Sequence, residues 1–436
     1  MRRINLLCLL VLCMFCTIVS AQVTLEQCTK SAREHYPLIA MYDIIAASEK
    51  YTLDNARLQW LPQGGVAIQT SYQSDVPTLE NLKEFKVWSK LKEILHMESN
   101  KMSKWQGQLG IEIRQNIWDG GKSASDAQIA REEANVKLKE MENDLYSLEE
   151  RVEQTFFGIL MLNENIQLTK NKIELLRSNL KDMETYADNG VAMQMDVDML
   201  KAECLTTEQL YDNLQTRQRS YLSVLELLTG LELEGIELVR PVPIESTELS
   251  VNPMHPQLSL FEQHKMELRA QESKIKVSVM PTVSAFAQGW YGYPGLDTFK
   301  SIEDHKLSLN AIVGLKLNWS FSALYYHSNM KKKIQSSIDS YDVMRDVFVF
   351  NTNLANNELR WKIEELQQML KKDTQIAELR HSVRKAMETR LQQGYVDATT
   401  LLQKIAEENQ ALITRSAHEL ELLQTQYKIS HNTYSK

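Results

Sequence analysis

The chain has 436 residues, with 49 Lys+Arg against 57 Asp+Glu and a formal net charge of −8 at pH 7. That balance argues against nucleic acid as a partner, which would need an extended basic surface, and the charges are spread along helical patterns as solvated faces. Nine scattered histidines, no nucleophile elbow, no phosphate-binding glycine loop and no metal-ligand spacing argue against an enzyme, a metal or a cofactor.

Residues 1–21 read as a signal peptide. Arg2 and Arg3 precede an apolar run from Leu6 to Val19, and Val19-Ser20-Ala21 offers small residues for cleavage. Removing it takes the net charge to about −10 and three of the five cysteines with it. No small residue stands directly before any of those three, as a lipid anchor would need. Cys28 and Cys204 remain, far apart in sequence, and define no disulfide framework. No later run reaches 18 apolar residues, so no transmembrane helix is expected.

The first structural repeat covers 22–230. Thr24 with Gln27 forms a capping box for an opening helix that ends at Pro62. Two strands are expected at about 65–73 and 108–118, the second with Leu109, Ile111, Ile113 and Ile117 alternating against Glu112, Arg114 and Asn116. The intervening loop carries its own amphipathic stretch around 85–95. A helical hairpin spans 122–230, with its tip near 188–196. Its outgoing limb shows Ala134, Leu138, Met141, Leu145, Leu148 and Val152, then Ile173, Leu176, Leu180, Met183 and Ala187. The return limb shows Val197, Leu200, Cys204, Tyr211, Leu214, Tyr221, Leu225 and Leu228. Apolar residues every three and four positions face a partner helix, and about 65 residues at 1.5 Å each give a limb roughly 100 Å long. Glu149, Glu150 and Glu153 read as solvent-facing or paired with Arg151, and His418 and His431 read as surface residues. Met193, Met195 and Met199 near the tip suit packing and partner contact better than soft-metal binding.

Residues 231–252 form an inter-repeat linker, and 253–436 repeat the unit. Pro37 and Pro62 recur as Pro256 and Pro281 at an offset of 219, kept by Tyr72 and Tyr291. Further on the offset is 204: Gly110 with Gly314, Met183-Glu184-Thr185 with Met387-Glu388-Thr389, Gly190 with Gly394. The two hairpins are therefore expected to be equal in length. The second repeat is read as strands at about 282–291 and 306–321, then a hairpin over 324–436 with its tip near 392–400. Leu307, Leu309, Ala311, Val313, Leu315, Leu317, Trp319 and Phe321 share one strand face, and Lys316 and Asn318 fall on the other. All nine prolines lie outside Gly110–Gly230 and Gly314–Lys436, as uninterrupted helices require.

A half-buried strand of a soluble sandwich would show the same alternation. Four strands, however, are too few for a sandwich that organises helices of this length, and the apolar face is long enough for a membrane-spanning strand. An open four-stranded sheet cannot span a bilayer, because its edge groups stay unpaired. Several copies would have to share one barrel.

The repeated helix–proline–strand segments, the turn Ile117-Trp118-Asp119-Gly120-Gly121, and the tip Gly190-Val191-Ala192 with Asp196 resemble the TolC-like outer-membrane efflux proteins over essentially the whole mature chain. The resemblance implies an α+β membrane protein. Its units would be duplicated helix–strand–strand–long helical hairpins, in a homotrimer sharing one 12-stranded β-barrel continued by a periplasmic α-helical coiled-coil tunnel. It implies a passive exit duct in the outer membrane of a Gram-negative bacterium, touching outer-membrane lipid, a periplasmic adaptor and an inner-membrane transporter. Adaptor docking would fall to Gly190, Val191, Ala192, Gly394, Tyr395 and Val396. Glu112, Arg114, Lys316 and Asn318 would line the barrel lumen.

The second copy departs from the family pattern. It has Ser322-Ala323-Leu324-Tyr325 where the first has the glycine turn. Thr400 and Gln403 stand where some relatives place aspartates at the tunnel mouth, with Asp196, Asp198 and Asp397 nearby. The rival reading from another class is an exported coiled-coil scaffold without a channel, which explains the heptads but not the strands. Substrate choice among drug, metal or protein belongs to the pump and is not written in this chain.

Overall fold

The computed structural model describes residues 22–78, 101–244, 250–393 and 395–434. The expected signal peptide, the amphipathic stretch around 85–95 and Gly394 lie outside them. The chain divides into two units, one of Met1–Tyr42, Leu138–Phe261 and Asp342–Lys436, the other of Asp43–Lys137 and Glu262–Tyr341.

In chain order the elements are β1 (Gln22–Val23), α1 (Leu25–His35), α2 (Met41–Leu58), β2 (Gln63–Tyr72), β3 (Trp105–Trp118), α3 (Lys122–Asp188), α4 (Gln194–Thr229) and β4 (Glu237–Leu238). The second copy supplies α5 (Pro256–Ser278), β5 (Thr282–Tyr293), α6 (Thr298–Asp304), β6 (Ser308–Asn318), α7 (Ser322–Gln392) and α8 (Ala398–Thr433). The opening helix is not continuous: Pro37 cannot extend α1 and starts a 3-10 turn before α2.

Four strands of the Asp43–Lys137/Glu262–Tyr341 unit form one antiparallel sheet in the order β2-β3-β5-β6. The strand expected over 306–321 is shorter. Ser320 and Ser322 bond to each other, and Leu324 N–H closes a turn on the Phe321 carbonyl, so Trp319 and Phe321 leave the ladder although the alternation runs on through them.

The limbs also differ from expectation. α3 has 67 residues and α7 has 71, while α4 and α8 both have 36. The extra four lie at the strand-to-helix junction. In the first copy Gly120 and Gly121 take φ of +69° and +92°, which no helix accommodates, and the equivalent Ser322-Ala323-Leu324-Tyr325 simply adds one helical turn.

In the other unit the heptad residues of α3 meet α1, α4 and α8. Phe156, Leu145, Val152, Leu225, Leu420 and Cys28 are buried in one cluster. The linker is anchored there: β4 pairs in parallel with β1, and Leu233 and Leu238 enter the cluster. Glu149 is not solvent-facing; it is 9% exposed and holds Arg33 at 2.6 Å. His431 is half-buried, its ring stacked on Tyr146 at 4.0 Å, with Glu153 3.9 Å from its Nδ1. His418 pairs with Asp373 at 2.7 Å. Nearby, His255 Nδ1 accepts the Gln257 N–H, which sets its tautomer.

Burial pushes His431 down to about 4, and burial with His431 beside it does the same to His255. Burial, with Glu149 and Glu150 alongside, pushes Glu153 up to about 8. The unfolded chain gains imidazole protons that the folded chain refuses, so stability falls as pH drops from 6.5 to 4. The folded chain keeps a Glu153 proton that the unfolded chain has lost, so stability falls as pH rises from 4.5 to 8. The imidazole contribution fades above pH 6.5 as the unfolded histidines lose their protons, and of these three groups the glutamate dominates toward pH 8, with a slope of up to about 1.4 kcal/mol per pH unit. Glu153→Gln is expected to flatten the decline of the melting temperature from pH 6.5 to 8; an unchanged decline would remove Glu153 as its source.

Candidate functional site

Antiparallel pairing puts directly opposed residues on the same side of a sheet. Ile68, Leu109, Tyr291 and Leu309 form one row across all four strands, Val66, Ile111, Gly289 and Ala311 the next, and Gly64, Ile113, Ala287 and Val313 a third. Gln115, Ala285 and Leu315 follow, then Trp118, Val283 and Leu317. With Gln115 and Thr70 the exceptions, the face is apolar and open: Leu309 is 82% exposed, Val313 79% and Ile68 77%. Aromatic residues close it at both ends, Tyr72 and Trp105 (5.2 Å between centroids) at one and Trp118, Trp319 and Phe321 at the other.

The opposite face carries Gln63, Glu112, Arg114, Gln288, Ser284, Lys316 and Asn318. Arg114 and Glu112 pair at 2.7 Å. The four residues named from sequence for a lumen thus lie together on one face, away from the apolar rows.

The turn leading off β3 is built on Asp119. Its carboxylate accepts the Gly121 and Ser123 N–H groups at 2.9 and 2.7 Å and the Ser123 hydroxyl. Burial would raise its pKa, but these bonds at the N-terminus of α3 hold it below the usual range. Gly120 packs under the start of β5, where an added Cβ would come within 2.9 Å of Met280 Cβ and 3.0 Å of the Pro281 carbonyl.

At the two tips the same turn recurs. Val191 N–H bonds the Tyr186 carbonyl and Tyr395 N–H the Arg390 carbonyl, positions equivalent under the 204 offset. Gly190 takes φ of +72°, left-handed as a helix C-cap requires. Val191 and Tyr395 are 73% and 78% exposed, with Met193 and Met195 beside them; Ala192 and Val396 are half-buried. Of the tunnel-mouth candidates, Asp397 caps α8 by accepting Thr400 N–H at 2.8 Å. Asp196 closes back on Met193 N–H, Asp198 takes a bond from Gln194, and Gln403 bonds Glu407. They act within their own helix ends and do not converge on one another.

Beneath the tips lies a group that the sequence reading missed. In the first copy Leu176, Leu180 and Cys204 belong to an apolar cluster with Ala398, Leu401 and Ile405 of α8. Their equivalents in the second copy are Arg380, Arg384 and Glu408. Arg384 bonds both Glu408 and Glu388, His381 reaches Glu408 at 2.7 Å, and Glu407 takes Arg380 and Lys404. Aligning the copies residue by residue would have exposed the exchange. Among the described residues no cluster of His, Cys, Asp and Glu suits a metal, and no helix is long and apolar enough to cross a membrane.

Residues 30–231 match the family model described as outer membrane efflux protein. No curated protein matches the chain in sequence. Solved structures share its fold at low identity. The outer membrane protein VceC of Vibrio cholerae aligns with a TM-score of 0.63 at 12% identity, over 94% of this chain and 95% of that one. The CmeC outer membrane channel of Campylobacter jejuni gives 0.62 at 10%, over 94% and 85%. The open state of the MtrE outer membrane channel of Neisseria gonorrhoeae gives 0.58 at 12%, over 94% and 88%.

The two glycine turns separate conformational strain from packing. Gly120→Ala meets both a left-handed φ and the Met280–Pro281 backbone, and is expected to cost about 2 kcal/mol or more. Gly190→Ala meets the same φ with nothing within 4 Å, and is expected to cost about 1 kcal/mol. Denaturant unfolding of the two variants compares them; equal losses would mean that the contact under β5 contributes nothing.

Proposed function

We propose that this chain, which resembles the TolC-like outer-membrane efflux proteins in sequence over 30–231 and in fold over nearly its whole length, is the exit duct of a tripartite efflux or type I secretion system. It is a channel and not an enzyme. It resides in the outer membrane of a Gram-negative bacterium with a large periplasmic helical part. Three chains close one 12-stranded barrel, which continues as a helical tunnel, and substrates delivered by a periplasmic adaptor and an inner-membrane pump pass through passively.

The observation that carries this reading is the sheet. It has one exposed apolar face between aromatic borders, a polar opposite face, and two edges, β2 and β6, with no partner among the described residues. Hydrocarbon tolerates such a face only if the edges are closed, and membrane barrels begin at about eight strands. A second observation supports self-association: α7 exposes Val343, Val347, Phe350, Leu354 and Trp361 at heptad spacing, each more than half exposed. A soluble scaffold would leave both surfaces in water.

In this reading Leu309, Leu315 and Leu317 face lipid, and Glu112, Arg114, Lys316 and Asn318 face the lumen. Leu315→Arg, near mid-bilayer, is expected to cost about 2–4 kcal/mol of barrel stability, while Lys316→Glu folds normally and shifts ion selectivity in planar bilayers. The detergent-extracted protein should have the mass of a trimer. A monodisperse monomer with full β-content would refute the shared barrel.

The tips Gly190-Val191-Ala192 and Gly394-Tyr395-Val396 are proposed to meet a helical hairpin of the adaptor, because nothing in a coiled coil needs Val191 and Tyr395 in water. Asp196, Asp198, Asp397, Thr400 and Gln403 then stand at the tunnel mouth. Val191→Asp with Tyr395→Asp should leave assembly and membrane location intact while adaptor crosslinking and export are lost. Crosslinking and export at wild-type rates in that variant would reduce the tips to ordinary turns.

A further inference from the structure

A cleft of about 450 Å³ opens between the C-terminal end of α2, the turn after β3 and the first turns of α3. Its walls include Leu53, Trp60, Trp118 and Ala127, and two exposed arginines, Arg57 and Arg131, line it as well. Trp118 ends the apolar rows of the sheet, paired with Val283, and Trp60 stands three residues before β2. The cleft therefore sits where the apolar face stops and the helices of the same unit begin.

Its charge is positive. Asp119, on the wall, is bound by the Gly121 and Ser123 N–H groups and offsets the N-terminus of α3. Arg131 makes no ion pair among the described residues, and Arg57 is held only by an exposed contact of 3.5 Å with Asp54. Two planar guanidiniums matched to phosphate oxygens, beside two indoles and an aliphatic wall, suit a ligand with an anionic head and an apolar body. Tryptophans at the edge of an apolar band mark the depth of lipid headgroups, and cationic pockets at that depth select anionic lipids.

We propose that this cleft binds the headgroup of an anionic glycerophospholipid from the leaflet on the helix side of the sheet. The phosphodiester lies between Arg57 and Arg131, and the glycerol and first acyl carbons lie against Trp60, Trp118 and Leu53. The site rests on the outer-membrane reading above and adds a specific lipid to it.

The test uses the full chain purified in neutral detergent, with phosphatidylglycerol and phosphatidylcholine of identical acyl chains, scored by native mass spectrometry. The wild type should retain phosphatidylglycerol about tenfold better than phosphatidylcholine, and millimolar inorganic phosphate should not displace it. Arg57→Gln with Arg131→Gln should bring the two lipids level at an unchanged melting temperature, whereas Arg57→Lys with Arg131→Lys should keep most of the preference. Equal retention by the wild type, undiminished preference in the double Gln variant, or displacement by inorganic phosphate alone would each overturn the lipid site. Membrane fractionation separates the two ideas: a chain found in the outer membrane without the preference loses only the lipid site. A chain absent from the outer membrane loses both.

Discussion

Backbone hydrogen bonding is the constraint from which the rest of this structure follows. β2 and β6 each offer a row of donors and acceptors with no partner among the described residues, and the face between them is almost entirely apolar. In water the face is the expense; in lipid the edges are. In the proposed barrel, closure with further strands inside a bilayer would relieve both, and the register within this sheet is already specified. A one-residue slip in any of the three pairings would carry Leu309, Ile111 or Val66 to the side of Glu112 and Lys316. The alternation is thus a registration device as well as a partition of surfaces.

The two copies meet this constraint with different local chemistry. The first leaves β3 through a turn that only glycine permits, secured by Asp119. The second leaves β6 through a serine-bonded turn with no left-handed residue and starts its helix one turn earlier. Near the tips the copies diverge again. One hairpin packs Leu176, Leu180 and Cys204, and the other packs the Arg384–Glu408 pair, with Arg380 exposed beside it. An ion pair buried this deeply gains little net stability over an apolar pair of similar volume, but loss of one partner leaves a charge stranded at a cost of about 3–5 kcal/mol. The second hairpin therefore has a narrower set of tolerated packings than the first, and duplication has not made the tips energetically equal.

Much of the fold was legible because two periods dominate the sequence. Period 2 located the sheet, a repeat near 3.5 located α3 and α4, and the offset of 204 carried them onto α7 and α8. What escaped was set by tertiary context. Alternation through Trp319 and Phe321 says nothing of Ser320 and Ser322, which bond to each other where the chain turns. Glu149 and Glu153 look like solvent residues on one helix until α1 brings Arg33 and α8 brings His431 against them. The parallel pairing of β1 with β4 joins segments more than 200 residues apart and two residues long, too short for any pattern. Among the candidate site residues, the polar face of the sheet could be assembled from phase alone. The tip aspartates could not, because whether a carboxylate caps its own helix or faces an opening depends on backbone geometry at a single residue.

The exposed apolar surfaces differ in periodicity, and each period selects a kind of partner. Leu309, Val313, Leu315 and Leu317 recur every second residue, a flat surface without knobs or holes that suits a fluid solvent of acyl chains. Val343, Val347, Phe350, Leu354 and Trp361 recur at heptad spacing, which suits another helix, and in the proposed trimer a second copy of the chain would supply one of matching length. Val191 and Tyr395 belong to neither series. They stand singly in turns, where neither lipid packing nor coiled-coil geometry calls for an apolar side chain. On the proposed reading, a surface that serves neither the bilayer nor the chain's own copies is left for a different protein, so the two positions with the least periodic support are the ones that bear on an outside partner.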